Sequence, residues 1–175
     1  MPKGPIQALY YDVWPTAWGA MGALAGKAGV CNVILPHYPM NDLIALIEWE
    51  HKGIIRDAPA LAALAGRAQA YFNGQRVDFA PIGCDLPGEA SFTGKVLRAC
   101  RAIPYGRTAS YSDLAKEIGQ PEAARAVAAA LSKNEVPLVI PCHRVTYADG
   151  RCGGFSAPGG EALKRRMLAL EKEIC

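Results

Sequence analysis

Three stretches near the start of the chain alternate apolar residues with polar or small ones, which is the pattern of half-buried β-strands. They run from Ile6 to Val13, from Ala17 to Leu24 and from Val30 to Leu35. The run from Ala25 to Gly29 contains two glycines and supplies a turn between the second and third stretches. The pattern predicts a short antiparallel meander.

Two helices are predicted after the meander. Asn41 or Asp42 can cap the first, which runs to about His51. Pro59 opens the second, whose apolar positions continue to Tyr71. The first part of the chain is therefore expected to be of the α+β class.

Glycine and proline interrupt the pattern from Asn73 to Gly88, and we interpret this segment as a linker. It divides the chain into an α+β domain over residues 1–85 and a helical domain over residues 86–175. Four helices are predicted in the second domain, over Ser91 to Ala102, Ser110 to Ile118, Glu122 to Leu131 and Glu161 to about Glu173. The second and third are joined by a tight turn, with Pro121 at a first helical position, and form the outline of a helix-turn-helix. The last helix is expected to bury Leu163, Met167, Leu168 and Leu170.

The composition indicates a globular protein. Of the 175 residues, 51% are hydrophobic, enough for one sizeable core or two small ones. No stretch approaches the ~18 unbroken apolar residues of a membrane span, and we expect no secretion signal at the start of the chain. The six cysteines include no C-x-x-C pair, so we expect reduced thiols inside the cell.

The net charge of +3 arises in the second half of the chain. Residues 86–175 hold 13 Lys and Arg against 9 Asp and Glu, whereas residues 1–85 hold 6 against 7. A surplus of this size permits nucleic-acid binding without establishing it, because many enzymes carry as much.

The motif Pro141-Cys142-His143-Arg144-Val145 places a thiol beside an imidazole after an apolar run. The thiolate is the reactive form of cysteine, and a neighbouring histidine with a suitable carboxylate raises the thiolate fraction at neutral pH. Cys142 is therefore a candidate nucleophile. A thiol hydrolase fits less well, since nothing glycine-rich precedes the cysteine to supply an oxyanion site.

Further features accompany this motif: Ser110-Tyr111-Ser112-Asp113-Leu114-Ala115, Arg125-Ala126-Val127, Asn134 and Glu171. Together they resemble the O6-alkylguanine-DNA alkyltransferase family, which repairs alkylated guanine by moving the alkyl group onto its own cysteine. The resemblance implies a small antiparallel-sheet, ribonuclease H-like first domain and a helical second domain with a helix-turn-helix. It also implies a single-turnover methylated-DNA–protein-cysteine methyltransferase that acts as a monomer without a cofactor.

The resemblance assigns roles to four residues. Cys142 would accept the alkyl group, while Glu171 would orient His143 and the imidazole would draw the thiol proton through a water. Tyr111 resembles a general acid directed at N3 of the leaving guanine. Taken alone, a tyrosine that opens a helix is more often a packing residue, and a glutamate on a last helix is more often part of a charged face.

The predicted third helix of the second domain carries small side chains and one long cation, Arg125. It offers almost nothing to base edges in the major groove. Small residues such as Ala126, Ala128 and Ala129 allow close approach to a minor groove, with Arg125 inserted into the duplex. By resemblance, this arginine fills the stack after the damaged nucleotide has been flipped out. The alternative is a buried alanine-rich helix with a solvated arginine.

The guanine pocket is implied by the same resemblance to involve Val145, Phe155 and Ser156. Asn134 matches a hinge asparagine of the family. That asparagine ties the DNA-recognition helix, here the predicted third helix, to the loop that carries Cys142, which we call the cysteine loop. Ordinary turn chemistry is an alternative for Asn134. Within this pocket the chain departs from the family pattern in two places. Phe155 stands where many members have tyrosine, and the loop from Gly153 to Gly160 is two residues longer than usual.

The expected partner is double-stranded DNA containing O6-alkylguanine. The expected location is the cytoplasm, on the nucleoid in a prokaryote, without membrane association. No metal site is expected, because Cys31 and His37 are a conceivable pair without a matching set of four ligands. The alternative function is a non-catalytic alkylated-DNA-binding module of the alkyltransferase-like type. Such modules keep the arginine but replace the cysteine, so Cys142 argues against this alternative.

Overall fold

The first half of the chain folds around a four-stranded sheet; the computed structural model describes residues 9–173. The strands are β1 (Tyr10–Thr16), β2 (Gly19–Gly26), β3 (Gly29–Ile34) and β4 (Ile55–Arg56). Their order is β3-β2-β1-β4. The first three pair antiparallel, which confirms the predicted meander, but β4 pairs with β1 in parallel. The sheet is therefore mixed, and the purely antiparallel prediction is wrong because a two-residue strand has no detectable alternation.

The first turn of the meander lies later than predicted. It falls at Ala17 and Trp18, so β2 begins at Gly19. The Thr16 hydroxyl donates to the Gly19 carbonyl at 2.7 Å and accepts from the Trp18 amide at 3.2 Å. Gly19 has a φ of 126°, which favours glycine. The predicted beginning of the first strand at Ile6 lies outside the described residues.

Helices α1 (Met40–Glu50) and α2 (Ala58–Phe72) cover opposite faces of the sheet. Leu43 of α1 lies in one buried apolar cluster, and Leu64 of α2 lies in the other. Successive residues of a strand point to opposite faces, which is why the same three strands supply both clusters. The sheet is thus the middle layer of three.

The two helices begin differently. Pro39 is the N-cap of α1 and no side chain caps this helix, so the prediction of a cap at Asn41 or Asp42 is wrong. The fixed φ of proline already holds the extended conformation that an N-cap requires. Asp57 caps α2 through its carboxylate, and Pro59 lies in the first turn as predicted.

The four predicted helices of the second half are confirmed: α3 (Phe92–Arg101), α4 (Tyr111–Glu117), α5 (Ala124–Leu131) and α6 (Gly160–Glu173). Ser110 caps α4 through a capping box. Helix α5 begins after Glu122, and Pro121 lies in the preceding turn, so Pro121 does not occupy a first helical position. The Ala123 amide donates to the Gln120 carbonyl at 2.9 Å and closes that turn.

The face that α6 turns to the protein is less apolar than predicted. Met167 is fully buried, whereas the other predicted core residues are only half-buried: Leu163, Leu168 and Leu170. Lys164 and Glu171 are each only 1% exposed. They lie seven residues apart and therefore on one face of the helix. These two charged side chains, which the sequence pattern did not place in the core, are more deeply buried than the three leucines that it did.

The segment predicted to be a linker packs into the core. Phe79 and Ile82 belong to the same buried cluster as Leu64 of α2 and Met167 of α6. This cluster extends through both halves of the chain. The boundary between residues 85 and 86 remains a prediction.

A parallel pairing of β5 (Ala109–Ser110) with β6 (Val145–Thr146) joins the start of α4 to the cysteine loop. Within residues 9–173, no helix is both long and apolar enough to cross a bilayer.

Candidate active site

Cys142 begins a single 3-10 turn and is 6% exposed. Asn134, shortly after α5, donates from Nδ2 to Cys142 Sγ at 3.1 Å and to the Ile140 carbonyl at 3.0 Å. Its Oδ1 accepts from the Val136 amide at 3.1 Å. One buried side chain thus connects the end of α5 to the cysteine loop, where the sequence analysis expected a hinge.

The Cys142 thiol is protonated at neutral pH. Burial raises its pKa, and the hydrogen bond from Asn134 and the charge of Lys164 reduce that increase without cancelling it. Because the thiolate is the nucleophile, a reaction at this sulfur requires a base.

His143 is fully buried, and its Nε2 lies 2.7 Å from Oε1 of Glu171. Burial lowers the pKa of His143, and the bond to Glu171 opposes that effect only in part. The imidazole is therefore neutral at pH 7, with the Nε2 proton donated to the carboxylate. Its Nδ1 is buried and has no hydrogen-bond partner in the described part of the chain. This nitrogen is the one that can accept a proton.

Glu171 also binds groups that the sequence analysis did not predict. Arg144 donates to it from Nε at 2.9 Å and from Nη2 at 3.1 Å. The Gly106 amide donates at 3.0 Å, and the Tyr71 hydroxyl at 2.9 Å. Burial opposes ionisation of Glu171, but its contacts with His143 and Arg144 outweigh burial and lower its pKa to about 2. The carboxylate is ionised at every physiological pH.

Lys164 is a second buried cation that the sequence analysis missed. Its Nζ donates to the Val145 carbonyl at 2.7 Å and to the Gly154 carbonyl at 3.3 Å. Burial lowers its pKa, and the Cys142 thiol is among the groups that oppose this effect. The i, i+7 spacing between Lys164 and Glu171 was the available signal, since it places both on one helical face.

Tyr111 is the first residue of α4 and directly follows β5, whose partner strand β6 directly follows the 3-10 turn of Cys142. A Cβ atom at Gly153 would lie 2.9 Å from its hydroxyl, and Gly153 has a φ of 74°. Burial raises the pKa of Tyr111, and the nearby Cys142 thiol raises it further. Lys164 Nζ lies 6.0 Å from the ring centroid. The hydroxyl is a neutral donor in this setting.

The three remaining pocket residues differ in exposure. Val145 is fully buried, Phe155 is half-buried against the main core, and Ser156 is exposed. Two clefts of about 550 and 520 Å³ lie around Arg101, and neither is lined by Cys142 or Phe155. The second cleft reaches the cysteine loop at Pro141 and Arg144.

Helix α5 presents a small, smooth surface. Arg125, Ala126 and Ala129 are exposed and Ala128 is half-buried, while the opposite face packs through Val127. Arg125 forms no hydrogen bond or ion pair with the described residues. The alternative of a buried alanine-rich helix with a solvated arginine is correct for Arg125, but it is wrong for the helix as a whole, because Ala126 and Ala129 are exposed.

Among residues 9–173, no group of three or more His, Cys, Asp or Glu side chains could hold a metal ion. None of the five cysteines in that range forms a disulfide.

The chain is similar to known proteins in sequence and in fold. The family described as "6-O-methylguanine DNA methyltransferase, DNA binding domain" matches residues 91–173. A methylated-DNA–protein-cysteine methyltransferase of Mycobacterium leprae is 41% identical over 120 residues, which are 69% of this chain and 70% of the relative. A protein of Thermus thermophilus named "DNA base-flipping protein" is 42% identical over 120 residues, covering 66% of this chain and 79% of the relative.

Several solved structures are similar over almost the whole chain. One of them is Mycobacterium tuberculosis OGT in complex with DNA, with a TM-score of 0.77 and 31% identity, covering 95% of this chain and 94% of that one.

Proposed function

Because this chain belongs to the O6-methylguanine DNA methyltransferase family, we propose that it repairs DNA by transferring the alkyl group of O6-alkylguanine to Cys142. The observation that supports this proposal most directly is the set of buried side chains around Cys142. Asn134 binds the thiol, and the adjacent His143 is held by an ionised Glu171. A structural cysteine needs neither a base nor a carboxylate behind that base.

The first step is removal of the thiol proton. The proton passes from Cys142 Sγ through a water to Nδ1 of His143, whose Nε2 proton is already directed at Glu171. Since Arg144 balances the charge of Glu171, the new imidazolium is balanced by the thiolate that forms with it. The buried site thus holds no net charge from this step, which avoids the large cost of an isolated buried ion.

The second step is displacement at the alkyl carbon. The Cys142 sulfur forms a bond to that carbon while the carbon–O6 bond breaks, and guanine leaves as Tyr111 donates a proton to N3. Solvent then returns a proton to the tyrosine, and the His143 imidazolium releases to solvent the proton that it took from the thiol. The thioether is too stable to hydrolyse, so each molecule acts once and no cofactor is consumed.

The substrate pocket consists of the loop after the cysteine. Val145 contributes backbone, Phe155 contributes its ring, and Ser156 lies at the exposed rim. Lys164 holds the carbonyls of Val145 and Gly154 and fixes the distance between the two sides of this loop.

DNA binds on the face of α5. The exposed Ala126 and Ala129, with Ala128 beside them, admit close approach to the minor groove, and the unrestrained Arg125 fills the place in the base stack that the flipped nucleotide has left. Helices α4 and α5 act as the helix-turn-helix, and the order β3-β2-β1-β4 is consistent with a ribonuclease H-like first half. The partner is double-stranded DNA containing O6-alkylguanine, bound by one monomer in the cytoplasm.

The test is the mass of the intact protein before and after mixing with an oligonucleotide that contains O6-methylguanine. We expect one added methyl group per molecule, mapped to Cys142 and absent from Cys142→Ala. Label mainly on Cys100 or Cys152, or many turnovers per molecule, contradicts the proposal. Tight binding of the damaged strand without any mass change supports the alternative, a non-catalytic alkylated-DNA-binding module.

A further inference from the structure

Tyr71 reaches the candidate active site from the other half of the chain. It lies near the end of α2, is fully buried, and its hydroxyl donates to Glu171 Oε1 at 2.9 Å. The Tyr71 hydroxyl oxygen also lies 3.4 Å from His143 Nε2, although 72 residues separate the tyrosine from the histidine along the chain. No other described residue of the sheet or its two helices donates a hydrogen bond to this network.

The hydrogen bonds around Tyr71 have a definite direction. Its only hydroxyl proton goes to Glu171, so the lone pairs of its oxygen remain for the Nε2–H of His143. Glu171 Oε1 also accepts from the Nε2–H of His143, with the oxygen 2.7 Å from the nitrogen. Both neighbours of Nε2 are therefore acceptors, and both favour the tautomer with its proton on Nε2 and a free lone pair on Nδ1.

Tyr71 does not exchange a proton itself. Burial, with the negative charge of Glu171 in second place, raises the pKa of Tyr71 far above its ordinary value. The ring is fixed by edge contacts to Phe79 and Tyr105, with centroids 6.0 Å away in both cases. The hydroxyl is thus a neutral, rigid group that acts through its two neighbours.

We propose that Tyr71 is a positioning residue for alkyl transfer: its hydroxyl holds the Glu171 carboxylate in place and keeps His143 in the tautomer that can accept the Cys142 proton. The inference rests on the proposed function, because it assigns a task within the same reaction. It means that the sheet-containing half of the chain supplies one group to the chemistry of the other half.

Removing only the hydroxyl has two consequences. Glu171 loses a donor and holds the imidazolium more strongly, so the pKa of His143 rises. The ring also loses its second acceptor and is less well oriented, so transfer slows. The other titratable groups facing this site stay in place in that variant: Glu171 and Lys164 from α6, Arg144 and Cys142 from the cysteine loop, and Tyr105 from the segment after α3.

The experiment compares Tyr71→Phe with Tyr11→Phe. Tyr11 is a matched control, because it is also buried and donates to a glutamate, Glu48, but in the other apolar cluster. The readouts are the rate of Cys142 alkylation by free O6-benzylguanine as a function of pH, and the 15N shifts of the His143 ring. For Tyr71→Phe we expect a rate loss of about three- to tenfold, which corresponds to the loss of one neutral hydrogen bond. The acid limb of the profile should move to higher pH, whereas Tyr11→Phe should leave both unchanged.

Three results overturn the inference. An unshifted pH profile for Tyr71→Phe does so, as does an equal change in Tyr11→Phe. The third result is a rate loss in the Tyr71→Phe, Glu171→Gln double variant that equals the product of the two single losses. A residue that acts through Glu171 has little left to contribute once Glu171 is changed. If Tyr71→Phe does not fold, the 15N shifts of the unaltered protein decide, because the inference requires His143 to be protonated on Nε2.

These outcomes are distinguishable from failure of the proposed function. If the unaltered protein does not alkylate Cys142, the proposed function is wrong. The ring shifts of His143 still show whether Tyr71 sets its tautomer, because they require no substrate.

Discussion

The cysteine loop and the exposed face of α5 are close in sequence but are constructed in opposite ways. Around the loop, His143 is completely buried and Glu171 accepts hydrogen bonds from four residues. On α5, Arg125 is exposed and binds no described residue. One region is fixed before substrate arrives, and the other is left free to adapt to a duplex.

The difference follows from what each region must do. Proton transfer and attack need reacting atoms held within a few tenths of an ångström, which buried hydrogen bonds supply. Insertion of Arg125 into DNA needs a side chain with no competing partner, because any intramolecular bond would have to break first. Changes in the loop should therefore affect chemistry on every substrate, and changes on α5 should affect only reactions with DNA.

The largest expected effect is that of Glu171→Gln. The substitution removes the charge that stabilises the His143 imidazolium, and we expect alkyl transfer to slow by roughly a hundredfold. It also leaves Arg144 buried without its anion, which costs about 3–5 kcal/mol of stability. Stopped-flow rates with O6-benzylguanine and with duplex DNA should fall by the same factor. A loss confined to duplex DNA would assign Glu171 to DNA binding instead.

The stability difference should depend on pH. The folded-state pKa of Glu171 is about 2 against an ordinary value of 4.5, so its stabilising effect is complete above pH 4.5 and is lost as the pH falls towards 2. Urea unfolding at several pH values should show the gap between the unaltered protein and Glu171→Gln closing over that interval. A gap that widens towards low pH would contradict an ionised Glu171.

A smaller effect is expected from salt, which should weaken the binding of duplex DNA but not the reaction with the free base. If α5 and its surroundings neutralise three phosphates, binding of undamaged duplex should weaken by about 40-fold between 50 and 200 mM salt. Affinity should vary little among unrelated sequences, and a minor-groove ligand should compete. Reaction with free O6-benzylguanine should be nearly insensitive to the same change. Strong preference for one undamaged sequence would instead favour major-groove readout.

A still smaller effect on DNA binding is expected from Ala129→Glu on α5. A carboxylate at this exposed position faces the phosphates, and we expect duplex binding to weaken roughly tenfold. Ala62→Glu is the matched control, because Ala62 is exposed on α2, away from the proposed DNA face. Both variants should unfold at similar urea concentrations. Equal binding by the two would remove α5 from the interface.

The fold could be predicted from sequence wherever a local signal existed. Alternation gave the three strands of the meander, and Ser91 and Ser110 marked the starts of α3 and α4. β4 was missed because two residues carry no period. The start of α5 was misplaced at Glu122, because a turn hydrogen bond competes with the helical preference of the residue after a proline.

The site was predictable to the extent that its residues lie near the cysteine in sequence or in a recognised motif. Asn134, His143 and Glu171 are brought together with Cys142 as expected. Tyr71 and Lys164 were not predicted. Tyr71 is separated by 100 residues from Glu171, to which its hydroxyl donates. Lys164 is buried, whereas lysine side chains usually lie in solvent.

The separation of the two regions can be tested by one comparison, the rate of Cys142 alkylation in Arg125→Ala on two substrates. Arg76→Ala serves as the control, because it removes an exposed arginine from the first half of the chain. We expect Arg125→Ala to slow repair of O6-methylguanine in a duplex by about ten- to hundredfold, since the flipped state loses its support. Its reaction with free O6-benzylguanine should stay within twofold of the unaltered protein. Equal losses on both substrates would show that Arg125 supports the pocket or the fold, and would contradict the division between a fixed chemical centre and an adaptable DNA face.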